Sequence, residues 1–183
     1  MVIIRMIRQG VGSLGGVEKA ALALGVVALL NTGRYMSSGG GPAIHDISTD
    51  LDNPPAFVTV VELRGPKDNP AEYLDDGTAE QQAEAYPDIR PVVLAVPPLE
   101  GFKKAVEAAN KMGWTIVAQV PEDGRIEAVA TTPFVGFKDD VVIRVRPEGS
   151  GARIDVRSKS RIGKGDMGVN ARRVREYSQL LSN

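Results

Sequence analysis

The chain has 183 residues, 43% hydrophobic and 25% charged, the balance of a globular protein of one ordinary domain with an appendage. Its net charge of -1 gives no general attraction to nucleic acid or other polyanions. With no cysteine and a single histidine, His45, it can form no disulfide, thiolate nucleophile, zinc–thiolate centre or multi-histidine metal site.

The stretch MVIIRMIRQG is apolar with two arginines, GSLGG follows as a flexible break, and VEKAALALGVVALLNTG runs from Val17 to Gly33. Between Lys19 and Arg34 lie 14 uncharged residues, against the roughly 20 apolar residues a helix needs to cross a bilayer. The run spans a membrane only if Asn31, Thr32, Tyr35 and the snorkelling cations Lys19 and Arg34 sit in the interfaces. A signal peptide and a buried helix of the folded domain are the competing readings, the former disfavoured because no small-x-small cleavage site directly follows Leu30. We expect residues 1–35 to form an N-terminal membrane-associated, anchoring segment, a hydrophobic helix in or beside a bilayer. Arg5, Arg8 and Lys19 precede the run and Arg34 alone follows it closely. That bias predicts a cytoplasmic N-terminus and a C-terminal domain in the periplasm or an equivalent lumen. Composition marks residues 36–42, MSSGGGP, as a linker and residues 43–183 as a soluble domain.

The first half of that domain is irregular. FVTVVEL is a strand or a packed extended segment, and PVVLAVPP a short apolar strand or a buried strap. DDGTAEQQAEAYPDI reads as a short helix begun by Asp76 or Thr78 and stopped before Pro87. The second half is regular. PPLEGFKKAVEAANKMGW places Leu99, Phe102, Val106, Ala109 and Met112 at helical spacing, with Gly113 as the C-terminal stop. TIVAQV, IEAVAT, DDVVIRVR and ARIDVRSKSR are strands joined by short turns such as PEDGR and PEGSG. A final helix, GVNARRVREYSQLL, brings Val174, Tyr177 and Leu181 to one side. Consecutive strands without crossover helices predict an α+β fold: an antiparallel four-stranded or larger sheet flanked by helices, preceded by the N-terminal hydrophobic helix.

Alternation also fixes a register for the last two strands. If Arg146 faces Arg153 across the turn, Arg144 lies opposite Asp155, Val142 opposite Arg157 and Asp140 opposite Lys159. Val141, Ile143, Val145, Ile154, Val156, Ser158 and Ser160 then point to the core. The other face carries Arg144, Arg146, Arg153, Arg157, Lys159 and Arg161, relieved by Asp140 and Asp155. The simpler reading is a solvated face laced with cross-strand pairs. The functional reading is a surface for anions, phospholipid headgroups or an acidic partner. No aromatic side chain interleaves with these arginines, so no stacking platform for nucleic acid is expected.

GPAIHDISTDLDNPPAF, residues 41–57, supplies residue types that enzymes use, in His45, Asp46, Ser48 and Asp50. They crowd one short segment, whereas a catalytic set is drawn from segments that meet in a cleft. Asp50, Asp52 and Asn53 lack the full spacing and closing glutamate of a calcium loop, and Asx-turns before the Pro-Pro step explain them equally. We expect the stretch to be a fastening strap, with His45, Asp46, Asp50, Arg144, Arg146, Arg157 and Arg161 as partner- or anion-binding candidates. No catalytic residue, cofactor or metal is assigned. In SRIGKGDMGVN, glycines precede a helix as in anion cradles, but the Walker spacing is missing. Asp166 there reads as a cap or as a partner for Arg161 or Arg173.

The blocks IHDISTDLDNPPAF, YPDI, the helix ending in GW, and DDVVIRVRPEGSGARIDVRSKSRIGKGDMGVNARRVREY occur in an order that strongly resembles the DUF1499 family, a domain of unknown function. The resemblance covers roughly residues 44–181. It implies a common fold and a membrane context, because members occur in bacteria and plastid-bearing eukaryotes, often behind hydrophobic N-terminal segments; it supplies no catalytic residues. The expected function is a non-enzymatic, membrane-anchored accessory subunit packing on a larger membrane protein complex, photosynthetic or respiratory. A lipid or small-molecule binding domain and a hydrolase using His45 are the alternatives.

Overall fold

The computed structural model describes residues 15–23, 25–26, 42–132 and 135–182, and the chain divides into two compact units, Met1–Gly40 and Gly41–Asn183. In the first unit residues 16–23 and 25–26 are helical. Among the described residues no helix is long and apolar enough to cross a membrane. The remainder of the apolar run expected to anchor the chain, and linker residues 36–41, lie outside the described residues.

The second unit is α+β. Its strands are β1 (Asp46–Ser48), β2 (Val92–Leu94), β3 (Thr115–Val120), β4 (Arg125–Thr131), β5 (Lys138–Glu148) and β6 (Gly151–Ser160). Its helices are α1 (Thr78–Ala85), α2 (Pro98–Lys111) and α3 (Val169–Ser182). The expected meander β3–β6 forms, and two short strands extend it to a six-stranded antiparallel sheet in the order β1-β6-β5-β4-β3. β1 and β2 share the free edge of β6, β1 opposite Arg157–Lys159 and β2 opposite Ala152–Ile154. The β5–β6 register is the one alternation gives, pairing Arg146 with Arg153, Arg144 with Asp155, Val142 with Arg157 and Asp140 with Lys159. At the β3–β4 turn Gly124 has φ +62, and a Cβ there would lie 2.1 Å from the Val145 carbonyl, so only glycine fits.

One face of the sheet packs on α2 and α3 through Ile126, Ala128, Val141, Ile143, Ile154 and Val156, all buried. Small residues let α2 approach closely; a Cβ on Gly101 would stand 2.6 Å from the Cβ of Ala152. The buried stripe of α2 is therefore Gly101, Phe102, Ala105, Ala108 and Ala109. Leu99, expected on the core face, is displaced from that stripe and is 61% exposed. Val174, Tyr177 and Leu181 of α3 are buried as predicted. Tyr177 stacks on Trp114 with centroids 5.1 Å apart and donates its hydroxyl to the Ala105 carbonyl at 2.9 Å. Burial pushes its pKa well up.

The opposite face departs from expectation. The simpler reading made it a solvated sheet surface, yet Asp140, Asp155, Arg157, Lys159 and Arg161 on it are all buried. Segment 50–76 crosses over them, with Phe57 and Val60 packing on Val129 and Val142 as a second, small core. FVTVVEL within this segment is no strand: Val60–Leu63 form a 3-10 turn. The Glu127 carboxylate projects from β4 and accepts the amides of Val58, Thr59 and Val60 at 3.1, 3.0 and 2.9 Å, which curls the backbone there.

Candidate functional site

The charged side chains of β5 and β6 meet segment 50–76 in three clusters. In the first, Arg157 donates Nε and Nη2 to Asp46 at 2.9 and 2.8 Å, and Lys159 lies 3.1 Å from the same carboxylate. The pairing follows from register, since Asp46 of β1 sits opposite Lys159. Arg157 also donates to the carbonyls of Pro55 and Ala71 at 3.2 and 2.9 Å, and Lys159 to that of Glu72 at 2.7 Å. The guanidinium lies over the rings of Phe57 and Tyr73, 4.6 and 5.1 Å from their centroids. Burial lowers the Lys159 pKa against the pull of Asp46, and burial together with the Asp46 charge pushes Tyr73 up to about 12.

The second cluster centres on Asp140. Arg161 reaches it through Nε and Nη2 at 3.1 and 2.8 Å and donates Nη1 to the Leu63 carbonyl at 2.8 Å. Arg64 Nε stands 2.8 Å from the other Asp140 oxygen without hydrogen-bond alignment.

The third cluster reaches solvent. Asp155 and Asp50 lie between Arg144, Arg146 and Arg153, whose side chains are 18%, 36% and 29% exposed. Asp50 Oδ2 accepts from all three at 3.1 Å, while Asp155 accepts from Arg144, Arg146 and Arg153 at 2.8 to 3.1 Å. Arg144 also donates to the Asn53 carbonyl at 2.9 Å, and Asp50 Oδ1 accepts the Asn53 amide at 3.0 Å, closing the Asx-type turn expected before Pro54. Burial would raise the Asp50 pKa, but the Asn53 amide and the arginines outweigh it and hold the carboxyl below its ordinary value. Three guanidinium groups face two carboxylates, with Glu148 3.7 Å from Arg153. Arg146 uses Nη2 for both aspartates, so the rim offers charge-assisted donors to a carboxylate or phosphate.

The seven candidates thus separate. Asp50, Arg144 and Arg146 come together at the rim; Asp46 and Arg157 form one buried pair, and Arg161 belongs to another. A solvent-borne anion has no path to the last three as they stand, because each is at most 6% exposed and already paired. His45 stands apart and half-buried, its Nδ1 3.3 Å from the Lys164 carbonyl. Sequence reasoning missed Arg64, Glu127 and Asp139, and named Arg173 only as a partner for Asp166. Asp139–Asp140 carried a usable signal, because adjacent strand residues point to opposite faces. Asp139 accordingly turns to the helix side and pairs with Arg173 at 2.6 Å. Asp166 pairs with neither arginine named for it; it caps α3, accepting the amides of Gly168 and Asn170 at 2.9 and 2.5 Å. Among the described residues no group of three or more potential ligands could hold a metal ion. A hollow of about 210 Å³ between Asp88–Arg90 and α3 is smaller than the roughly 300–1,000 Å³ of ligand pockets.

Residues 46–181 match the model of a family described as "Protein of unknown function (DUF1499)". No curated protein matches the chain. Among solved structures, TTHA0849 from Thermus thermophilus is similar at 12% identity with a TM-score of 0.29, over 50% of this chain and 94% of that one. Ara h 8.0201 is similar at 14% identity with a TM-score of 0.27, over 51% and 96% of the two chains.

Proposed function

The chain belongs to the DUF1499 family of proteins of unknown function, and from that premise we propose a non-enzymatic accessory protein, anchored to a membrane by its N-terminal apolar run. Its α+β domain packs on a larger membrane complex, photosynthetic or respiratory, from the periplasmic or lumenal side. One observation supports this reading above the others: the polar side chains from Asp46 to Thr49 and from Asp155 to Arg161, within the blocks that carry the family resemblance, are engaged inside the fold. Asp46 holds Arg157 and Lys159, the Ser48 hydroxyl donates to the Asp50 carbonyl, and Thr49 Oγ1 accepts the Val156 amide. Asp155, Ser158 and Arg161 are likewise paired within the domain. A catalytic set needs groups poised toward a substrate, whereas these groups clamp one layer to another. Arg146 and Arg153, at the open rim of the third cluster, are the contacts this reading assigns to an acidic segment of the host.

Gentle solubilisation of native membranes tests the proposal. The protein is expected to co-migrate with an assembly far larger than its own 19.5 kDa, and Arg146→Glu to weaken that association. A soluble monomer in the native extract refutes it. In sealed right-side-out vesicles, added protease is expected to digest the domain; protection until lysis would place it on the cytoplasmic face instead.

A further inference from the structure

We infer that the end of the domain built by residues 135–138 and loop 162–167 is a membrane-docking surface for anionic phospholipid headgroups. The inference rests on the anchored reading above and specifies how the domain would meet the bilayer.

Four chain segments converge at this end. The Arg161 amide donates to the Lys138 carbonyl at 3.1 Å, joining the end of β6 to the start of β5. Asn69 donates to the Gly163 carbonyl at 2.9 Å, and Arg161 to that of Leu63 at 2.8 Å, which brings in segment 63–69. The chain enters the domain here as well: His45 contacts the Lys164 carbonyl, and a Cβ on Gly165 would lie 3.2 Å from Ala43 Cα.

Apolar side chains stand out from this end where folding would bury them if it could. Val135 and Phe137 are 66% and 54% exposed, Ile162 and Met167 64% and 55%, and Leu63 50%. Lys67, Lys138 and Lys164, all exposed, lie among them. The nearby acids are mostly engaged: Asp139 and Asp140 in buried pairs, Asp166 by the α3 amides and Asp68 by the Gly65 amide, leaving Glu62 exposed beside Leu63. The other end of the sheet differs: its two hairpin turns present Glu122, Asp123 and Glu148 to solvent, and the arginines of its rim are already paired with Asp50 and Asp155. Apolar loop tips among lysines fit the boundary between acyl chains and anionic headgroups, where the tips leave water and the ammonium groups meet phosphate.

Charge and polarity together select a bilayer over a soluble partner: exposed apolar tips at Val135, Phe137, Ile162 and Met167 interleaved with Lys138 and Lys164 suit an interface that is apolar on one side and anionic on the other.

Because the chain has no cysteine, a single introduced thiol reports one position in the full-length protein. Ile162→Cys, at this end, and Ser150→Cys, in the β5–β6 turn, would each carry an environment-sensitive fluorophore. They would be mixed with vesicles of phosphatidylcholine alone or with phosphatidylglycerol. The expected result is flotation with the anionic vesicles, with a blue shift and quenching by brominated lipid at 162 and neither at 150. Lys138→Glu with Lys164→Glu should diminish the response at 162. Flotation with no response at 162, or a response at 150 instead, overturns the docking surface and leaves the anchor standing. An equal response on neutral and anionic vesicles overturns the headgroup recognition. Failure to float on either overturns the anchor and this inference together.

Discussion

The two faces of the sheet are buried by opposite means. Toward α2 and α3, β5 and β6 present Val141, Ile143, Val145, Ile154 and Val156. Toward segment 50–76 the same strands present Asp140, Arg144, Arg146, Arg153, Asp155, Arg157, Lys159 and Arg161. Ile143 is 0% exposed and Arg157 1%, so burial does not distinguish the faces; the covering layer does. A helix satisfies its own backbone and can offer an apolar stripe. Segment 50–76 is largely without a ladder, and its carbonyls need donors once water is excluded. The sheet supplies them: Arg144 to Asn53, Arg157 to Pro55 and Ala71, Arg161 to Leu63, and Lys159 to Glu72. Glu127 does the same for the amides of Val58, Thr59 and Val60. Asp46, Asp50, Asp140 and Asp155 then neutralise the cations. The charges that look like a solvent face are the substitute for a missing layer of secondary structure.

If that is right, breaking one carboxylate on the strap face should cost more than trimming one methyl on the helix face. Asp140→Ala leaves Arg161 and Arg64 buried without their counter-charge, and should lower the unfolding free energy by about 3–5 kcal/mol in urea titration. Proteolysis under native conditions should then begin within segment 50–76. A cost below about 1 kcal/mol would show that these pairs contribute little and that the apolar contacts of Phe57 and Val60 hold the segment. Ile143→Val, a neighbouring residue on the helix side, should cost about 0.5–1.5 kcal/mol and leave segment 50–76 no more open to protease than before. Equal opening in both variants would mean that the two faces unfold as one unit.

The sequence disclosed the frame and hid the covering layer. The β5–β6 register was legible because strand alternation has period two, and any one-residue slip would have turned Ile143 and Ile154 outward. The final helix was legible for the same reason at period 3.6. The occupant of the charged face was not. An alternating row of arginines has the same pattern whether water or a neighbouring backbone accepts its hydrogen bonds, and segment 50–76 has no periodicity to declare that it packs there. The polar residues of stretch 41–57 did suggest a fastening role, and Asp46 and Asp50 each pair with cations of β5 or β6. Leu99 was misplaced because regular spacing treats all turns of a helix alike, whereas close contact at Gly101 selects a different stripe.

The smallest effect tests the cluster that reaches solvent, where the charged face is least enclosed. Asp50→Asn keeps the shape of the side chain and an oxygen for the Asn53 amide, and removes the charge seen by Arg144, Arg146 and Arg153. Those arginines are partly hydrated, so the cost at neutral pH should stay below about 1 kcal/mol. The pH dependence carries the sharper signal. The Asp50 carboxyl is held below its ordinary value of 3.8 in the folded chain. On acidification the unfolded chain takes up its proton first, which favours unfolding. Stability from this group is therefore complete above the ordinary value and is lost as pH falls toward the lower folded value. Urea titrations between neutral pH and pH ~3 should show the wild-type protein losing more stability than Asp50→Asn, the two curves converging in acid. Parallel curves would mean that Asp50 titrates alike in both states and that the third cluster does not recognise its charge.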